Sequence, residues 1–235
     1  MFARRNFVSI AGFITIVEAL LPFVSVVVLG QAINWPKSLS DPADKMLPLL
    51  VQNAEAVRFG YLVYLAYSIL FCIVALFIIR VLSNEESDPI WLRAAFGFAI
   101  ASTIARCLGI IRWLVAMPAL AILYTNPETS NPIREAIAIV YRVLNDYAGS
   151  VGEVLGVSLF ASLWLVIVSL TIIQTRILPK WVGFLGLVSA TLLAFQLAEL
   201  FGVNLGAFIS VSVSVLQLWF LVMGIFLLRL PQLIR

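Results

Sequence analysis

The sequence contains no histidine and only two cysteines among its 235 residues. Without imidazole side chains, the chain itself offers no histidine ligand for haem, no histidine proton relay and few options for a transition metal. Cys72 and Cys107 both lie in apolar stretches and form no CxxC pair, so we interpret them as small packing residues. The chain also lacks a phosphate loop and a nucleophile–base motif. We therefore predict a protein without a metal or cofactor.

Charged residues are also scarce. They make up 11% of the chain, whereas soluble domains contain about 25%. Hydrophobic residues reach 63% and the mean hydropathy is +1.08, so we expect lipid to surround most of the surface. There is no run of five basic residues, which disfavours nucleic-acid binding. The net charge of +3 is typical of basic residues that flank membrane-spanning helices.

Six apolar stretches are long enough to cross a membrane. A helix needs about 20 mainly apolar residues to span a hydrocarbon core of roughly 30 Å. The six stretches are residues 7–33, 58–83, 91–122, 151–175, 181–203 and 205–230. The first is longer than a signal-peptide core, so we expect it to be retained as a spanning helix. We predict an all-α polytopic membrane protein, a bundle of six transmembrane helices in one domain over residues 1–235.

Proline and glycine positions refine this topology. Pro118 is predicted to kink the third span, because proline removes an intrahelical hydrogen bond and crowds the preceding turn. Residues 202–206 leave only a short connection, so the last two spans are predicted to form an antiparallel hairpin. The small residues Gly152 and Gly156, like Gly183 and Gly186, favour close helix packing.

Two long loops, residues 34–57 and 125–150, contain amphipathic stretches at 41–56 and 132–147. In the second stretch, apolar residues recur at helical spacing after Asn131 and Pro132, which favour a helix start. We expect one or two interfacial helices that lie on the outer side of the bilayer. A lid over the bundle is the alternative interpretation.

The distribution of lysine and arginine predicts the orientation. The side with the termini carries Arg4, Arg5, Arg80, Arg93, Arg176, Lys180, Arg229 and Arg235, and the other side carries Lys37, Lys45, Arg58, Arg134 and Arg142. Basic residues concentrate on the cytoplasmic side of membrane proteins. We therefore predict a multi-pass protein of the cell inner membrane with both termini in the cytoplasm.

Five charged residues interrupt the apolar stretches. They are Glu18, Arg106, Arg112, Glu153 and Glu199. A charge near the bilayer centre costs about 3 kcal/mol or more unless it is paired or hydrated, so we predict that these side chains are buried in a polar cluster between helices. At about 1.5 Å of rise per residue, depth pairs Arg106 with Glu18. Depth also pairs Arg112 with Glu153, Glu199 or both.

This cluster has two interpretations. Arg106, Arg112, Glu153 and Glu199 could form a substrate or proton site, or buried salt bridges could fix the order of the helices. The amides Gln174, Gln196, Asn204 and Gln217 are interpreted as partners in interhelical hydrogen bonds. Aromatic residues near the predicted boundaries form an interfacial belt of Tyr61, Tyr64, Trp91, Tyr124, Tyr147 and Trp181.

Several motifs resemble a known family. The run from Arg106 to Trp113, followed by Pro118, resembles the third helix of bacterial membrane proteins described as domain of unknown function 4386. The later pattern also resembles it: Gly152, Glu153, Gly156, Trp164, and residues 178–186 with Pro179, Trp181, Gly183 and Gly186. The resemblance extends over roughly residues 5–230. It implies a six-helix membrane protein and no established activity, with Arg106, Arg112, Trp113, Glu153 and Pro179 as the positions of first interest.

Three functional hypotheses remain open on the sequence alone. The first is a non-enzymatic structural or accessory protein whose partners are the lipid bilayer and other membrane subunits or a second copy of the chain. The second is a small transporter or ligand-binding protein that uses the Arg/Glu cluster. The third, which the missing catalytic motifs make weakest, is a membrane-embedded enzyme that acts on a lipid.

Overall fold

The structure is a computed structural model that describes residues 2–83, 90–175 and 177–233. Within these residues the chain forms nine α-helices and no strand. The helices are α1 (Phe2–Ile33), α2 (Ala43–Gln52), α3 (Ala54–Leu82), α4 (Ile90–Leu114), α5 (Ala116–Thr125), α6 (Asn131–Ser150), α7 (Ser162–Thr175), α8 (Lys180–Phe195) and α9 (Ala207–Leu233). Residues 84–89 lie outside the described residues, and so do Arg176 and Arg235, two of the basic residues on which the predicted orientation depends.

Six helical segments of the described chain are long and apolar enough to cross a membrane. They are Arg5–Ile33, Ala54–Leu82, Ile90–Thr125, Asn131–Thr175, Lys180–Phe201 and Ala207–Leu230. Five of these segments agree with predicted spans to within a few residues, and the fourth contains its predicted span, 151–175, at its carboxyl end. The prediction of an all-α polytopic membrane protein is confirmed.

The third span is broken where proline predicts a kink. Helix α4 ends at Leu114, and Val115 leaves the helical region with φ −125° and ψ −64° before α5 begins. Leu114 lies four residues before Pro118, whose ring clashes with the carbonyl at that position in a regular helix. The predicted kink is therefore confirmed, and its position follows from the proline ring.

The amphipathic stretch and the fourth span are joined in one helical segment of 45 residues. Helix α6 passes into a π-helix over Val151–Ala161, which continues directly into α7. On α6, Ile137 and Tyr141 are buried, while Ile139 and Val143 expose an apolar stripe. Such a two-sided pattern is typical of a helix at a membrane interface.

The last two spans are joined by a short turn. A 3₁₀ helix at Gln196–Phe201 ends at Gly202, which has φ +80°, and Gly206 has φ +49° just before α9. Glycine adopts these left-handed conformations without a steric penalty. Helices α8 and α9 pack against each other, so the predicted hairpin is confirmed.

The chain divides into two compact units. Unit 1 comprises Met1–Leu20, Ile69–Ile104 and Val154–Arg235. Its core includes Trp164, whose ring centroid lies 5.8 Å from that of Trp219. A Cβ atom at Gly183 would lie 2.7 Å from the carbonyl oxygen of Ser169, so the backbones of α7 and α8 approach closely at the predicted glycine face.

Unit 2 comprises Leu21–Ser68 and Ala105–Glu153. Its core contains residues from six helices: Leu29, Ile33, Met46, Leu47, Tyr61, Trp113, Met117, Ala121, Ile137 and Tyr141. Helix α6 packs against α2 and α5, which places the amphipathic helix on this core. That residues 1–235 form a single domain stays a prediction.

Candidate functional site

Both arginines of the third span are buried in unit 2. Arg106 is 6% exposed and Arg112 is 9% exposed. They are six residues apart on α4, so at 3.6 residues per turn their side chains leave the helix about 120° apart. They therefore contact different neighbours.

Arg106 lies on an aromatic face. Its guanidinium carbon is 4.4 Å from the centroid of the Tyr67 ring, which is within the range of a cation–π interaction. Tyr67 in turn stacks on Tyr64, with centroids 5.7 Å apart and an interplanar angle of 6°. A cation–π interaction away from water contributes about 2 kcal/mol, which offsets part of the cost of burying this charge.

Arg112 has polar and aromatic neighbours. Its Nη1 donates to the carbonyl oxygen of Gly109 at 2.6 Å, and its Nη2 donates to Oδ1 of Asn145 at 3.5 Å. Its guanidinium carbon also lies 5.3 Å from the ring centroid of Trp113. Gly149 on α6 leaves room for it, because a Cβ there would lie 3.3 Å from Nη2.

Two hydrogen bonds tie α6 to the segment that precedes α2. Tyr141 Oη donates to the carbonyl oxygen of Asp41 at 3.3 Å, and Asn145 Nδ2 donates to that of Leu39 at 2.9 Å. Asn145 therefore contacts Leu39 with its amide nitrogen and Arg112 with its amide oxygen. This single side chain couples the position of α6 to the buried arginine.

Glu153 lies close enough to Arg112 to interact with it electrostatically. It does not have the buried position that the sequence predicted, because its side chain is exposed at the protein surface. The neighbouring Gly152 makes the close contact with Gly109, and the side chain of the next residue along the helix points in a different direction. The prediction that Glu153 is buried is wrong for this reason.

Tyr64 interacts electrostatically with all three predicted site residues of unit 2. It lies within electrostatic interaction distance of Arg106, Arg112 and Glu153. All three charged groups thus interact electrostatically with one tyrosine of α3. We call this set, together with Tyr61, Tyr64 and Tyr67, the unit 2 polar centre. Its two arginines and one glutamate give a formal charge of +1.

The chain matches a known family over most of its length. A family model described as Domain of unknown function (DUF4386) matches residues 10–229. The chain belongs to this family. The match includes all five charged residues that the sequence singled out, and it confirms the resemblance based on the arginine and glycine motifs. No curated protein and no solved structure matches the chain.

Two predicted site residues of this DUF4386 member lie in unit 1. Glu18 on α1 is fully buried, and Glu199 in the 3₁₀ helix is partly buried. Because the arginines belong to unit 2, the predicted pairs of Arg106 with Glu18 and of Arg112 with Glu199 stay predictions.

The tyrosines of α3 are the site residues that sequence reasoning missed. Tyr61 and Tyr64 were assigned to the interfacial belt, but Tyr61 is only 2% exposed and stacks on Trp113, with centroids 5.1 Å apart. The assignment of Tyr61 to the belt is wrong. The signal was present in the spacing, since Tyr61, Tyr64 and Tyr67 are three residues apart, which makes each a neighbour of the next on the helix surface.

Unit 1 contains a separate polar contact between helices. Ser158 Oγ donates to Oε1 of Gln196 at 3.1 Å, and Gln196 Nε2 donates to Oγ of Ser212. Gln196 is buried, so these bonds satisfy its amide where water is scarce. The interpretation of Gln196 as an interhelical hydrogen-bonding residue is confirmed.

Among the described residues, no group of three or more acidic or cysteine side chains is placed to hold a metal ion. The chemistry that the unit 2 polar centre offers is of another kind: hydrogen-bond donation from guanidinium and phenol groups, and attraction of negative charge.

Proposed function

We propose that this protein is a non-enzymatic structural or accessory membrane protein in which the unit 2 polar centre holds α3, α4 and α6 in place. The observation that carries the proposal is the position of Arg106 over Tyr67, at 4.4 Å from the ring centroid. The burial of this charge in lipid would cost free energy, and its contact with the Tyr67 ring offsets part of that cost while holding α4 against α3. Arg112 adds a link from α4 to α6 through Asn145.

We further propose that Glu153 stabilises the buried charge of Arg112 from the protein surface, so that Arg106, Arg112 and Glu153 form an Arg/Glu cluster. The electrostatic proximity of Glu153 and Arg112 supports this attraction. A guanidinium keeps its charge at any physiological pH, so this attraction does not depend on the protonation state of Arg112.

A double-mutant cycle tests the structural role. The protein is purified in detergent, and its free energy of unfolding is measured for Arg106→Met, Tyr67→Leu and the double variant. We expect a coupling energy of about 1–2 kcal/mol, because each single change removes the same cation–π contact. Arg58→Met is the matched control, since Arg58 is exposed on α3 and should change the stability by less than about 0.5 kcal/mol. A coupling energy near zero would contradict the proposal.

The proposed location is the bacterial inner membrane, with both termini in the cytoplasm. The excess of basic residues on the side of the termini supports it. A reporter that fluoresces only in the cytoplasm, fused after Arg235, should be bright, and alkaline phosphatase at the same position should be inactive. The reverse pattern would overturn the orientation.

An accessory role also implies a membrane partner or a second copy of the chain. Exposed apolar side chains along α1, including Phe13, Leu20 and Phe23, support a surface for lipid or for another helix. Native mass spectrometry of the detergent-extracted protein should then detect a species heavier than the 25.9 kDa chain. Detection of the monomer alone, at native expression levels, would count against the accessory role.

A further inference from the structure

Two buried donors in unit 2 have hydrogen-bonding capacity that the described residues do not use. Tyr61 Oη and Arg112 Nε both lack a hydrogen-bond partner among those residues. Tyr61 is 2% exposed and Arg112 is 9% exposed, so bulk water does not satisfy either group. An unsatisfied buried polar group costs about 1–3 kcal/mol, and more when it is charged.

Both donor residues contact one aromatic ring. Trp113 stacks on Tyr61 with an interplanar angle of 3°, and the guanidinium of Arg112 lies 5.3 Å from the Trp113 ring centroid. Tyr61 and Arg112 are also within electrostatic interaction distance of each other. The Tyr61 phenol and the Arg112 guanidinium are therefore neighbours around the Trp113 ring.

We propose that Tyr61 Oη and Arg112 Nε bind a singly charged oxyanion, either a carboxylate or a phosphodiester. Both groups are available as donors, and an oxyanion supplies only acceptors. Hydrogen bonds between a guanidinium and an oxyanion are about twice as strong as neutral ones. Arg112 is the one cation of this donor pair, so it matches one negative charge and disfavours a dianion. This site goes beyond the structural role and does not depend on it.

Two classes of ligand carry such an oxyanion. A phosphodiester is part of a lipid headgroup such as that of phosphatidylglycerol, whereas a carboxylate belongs to a small soluble anion. The wild-type protein is therefore titrated in detergent with acetate and with dimethyl phosphate, and in nanodiscs with phosphatidylglycerol against phosphatidylcholine. The measured quantity is the rise in the unfolding midpoint with probe concentration, which yields an apparent affinity.

Tyr61→Phe is the decisive variant, because it removes the hydroxyl and keeps the ring that stacks on Trp113. We expect its affinity for the binding probe to fall roughly tenfold, as is typical for the loss of one hydrogen bond to a charged group. Tyr124→Phe is the matched control, since it removes a hydroxyl from a tyrosine of α5 that lies outside the unit 2 polar centre and should change the affinity less than twofold. Arg112→Lys keeps the charge but lacks Nε–H, and a loss similar to that of Tyr61→Phe is expected. If Arg112→Lys does not fold, the comparison of Tyr61→Phe with the tyrosine control variant tests the proposal by itself.

The possible results distinguish a free anion from a lipid headgroup, and they distinguish the anion site from the structural role. Stabilisation by the soluble probes identifies a free anion, and stabilisation by phosphatidylglycerol alone identifies a lipid headgroup; either result supports the site if Tyr61→Phe weakens it. No stabilisation by any probe would overturn the proposal, and so would equal binding by wild type and Tyr61→Phe. A missing Arg106–Tyr67 coupling would contradict only the structural role.

Discussion

Gly109 of α4 and Gly152 of the π-helix bring their backbones into direct contact, since a Cβ atom built on Gly109 would lie only 2.8 Å from the Cα of Gly152. Both glycines belong to unit 2, and Gly109 stands between Arg106 and Arg112 in sequence. The close approach explains why small residues accompany the charged ones in this part of the chain. Close backbone approach is the usual means of helix association in lipid.

Gly109→Ala should therefore destabilise the protein. The added methyl group has backbone atoms rather than a flexible side chain in its way, so the helices must separate, at a cost of about 1–3 kcal/mol. Gly97→Ala is the matched control on the same helix, because no atom lies within 4 Å of the Cβ position there. Thermal unfolding in detergent should show a lower midpoint for Gly109→Ala alone. Equal midpoints for the two variants would show that this contact is not tight.

Asn145→Ala should loosen α6. The change removes the donor to the Leu39 carbonyl and the acceptor for Arg112, and it leaves buried polar groups unsatisfied at about 1–3 kcal/mol. We expect faster hydrogen–deuterium exchange in residues 131–150 and 37–52. Arg142→Ala serves as control, because Arg142 makes only an exposed ion pair with Asp146 at 3.8 Å. Exchange at the wild-type rate in both variants would contradict the role of Asn145 in holding α6.

Gln196→Leu should weaken the contact between the π-helix, the 3₁₀ helix and α9. It removes the bonds to Ser158 and Ser212, and interhelical hydrogen bonds in membranes contribute about 0.6 kcal/mol each. We expect a loss of roughly 1 kcal/mol in the free energy of unfolding. Thr191→Val provides the comparison, since Thr191 is exposed and bonds only to Leu187 of its own helix. A Gln196→Leu protein as stable as wild type would contradict the role of these bonds.

Gly202→Ala should destabilise the turn between the last two spans. Gly202 has φ +80° and no atom within 4 Å of its Cβ position, so the effect comes from the backbone alone. An L-residue with a Cβ atom pays about 1–2 kcal/mol in this conformation. Gly202→Asn should cost less, because asparagine tolerates the left-handed region. Unfolding midpoints that fall from glycine to asparagine to alanine at position 202 would support this account, and equal midpoints would contradict it.

The topology was predictable because it depends on composition over long windows. Six apolar runs, the position of Pro118 and the short connection at 202–206 each act through local chain geometry, and each was found where the sequence placed it. The partners of the arginines were not predictable in the same way. Helices that are apolar on all sides carry no periodic signal for the face that meets protein rather than lipid. Tyr61 was therefore misplaced at the interface, and Glu153 was misplaced in the interior.

The amino-acid sequence by itself determined that this is a multi-pass membrane protein with arginines in its third span, since hydropathy and charge are properties of the residues alone. Only the tertiary structure decided that Arg106 lies over Tyr67, that Asn145 reaches Arg112, and that Trp113 contacts both the Tyr61 ring and the Arg112 guanidinium. The physical reason is that lipid and protein interior accept the same apolar side chains. Which helix faces meet therefore depends on steric fit and on buried polar contacts between segments far apart in the chain.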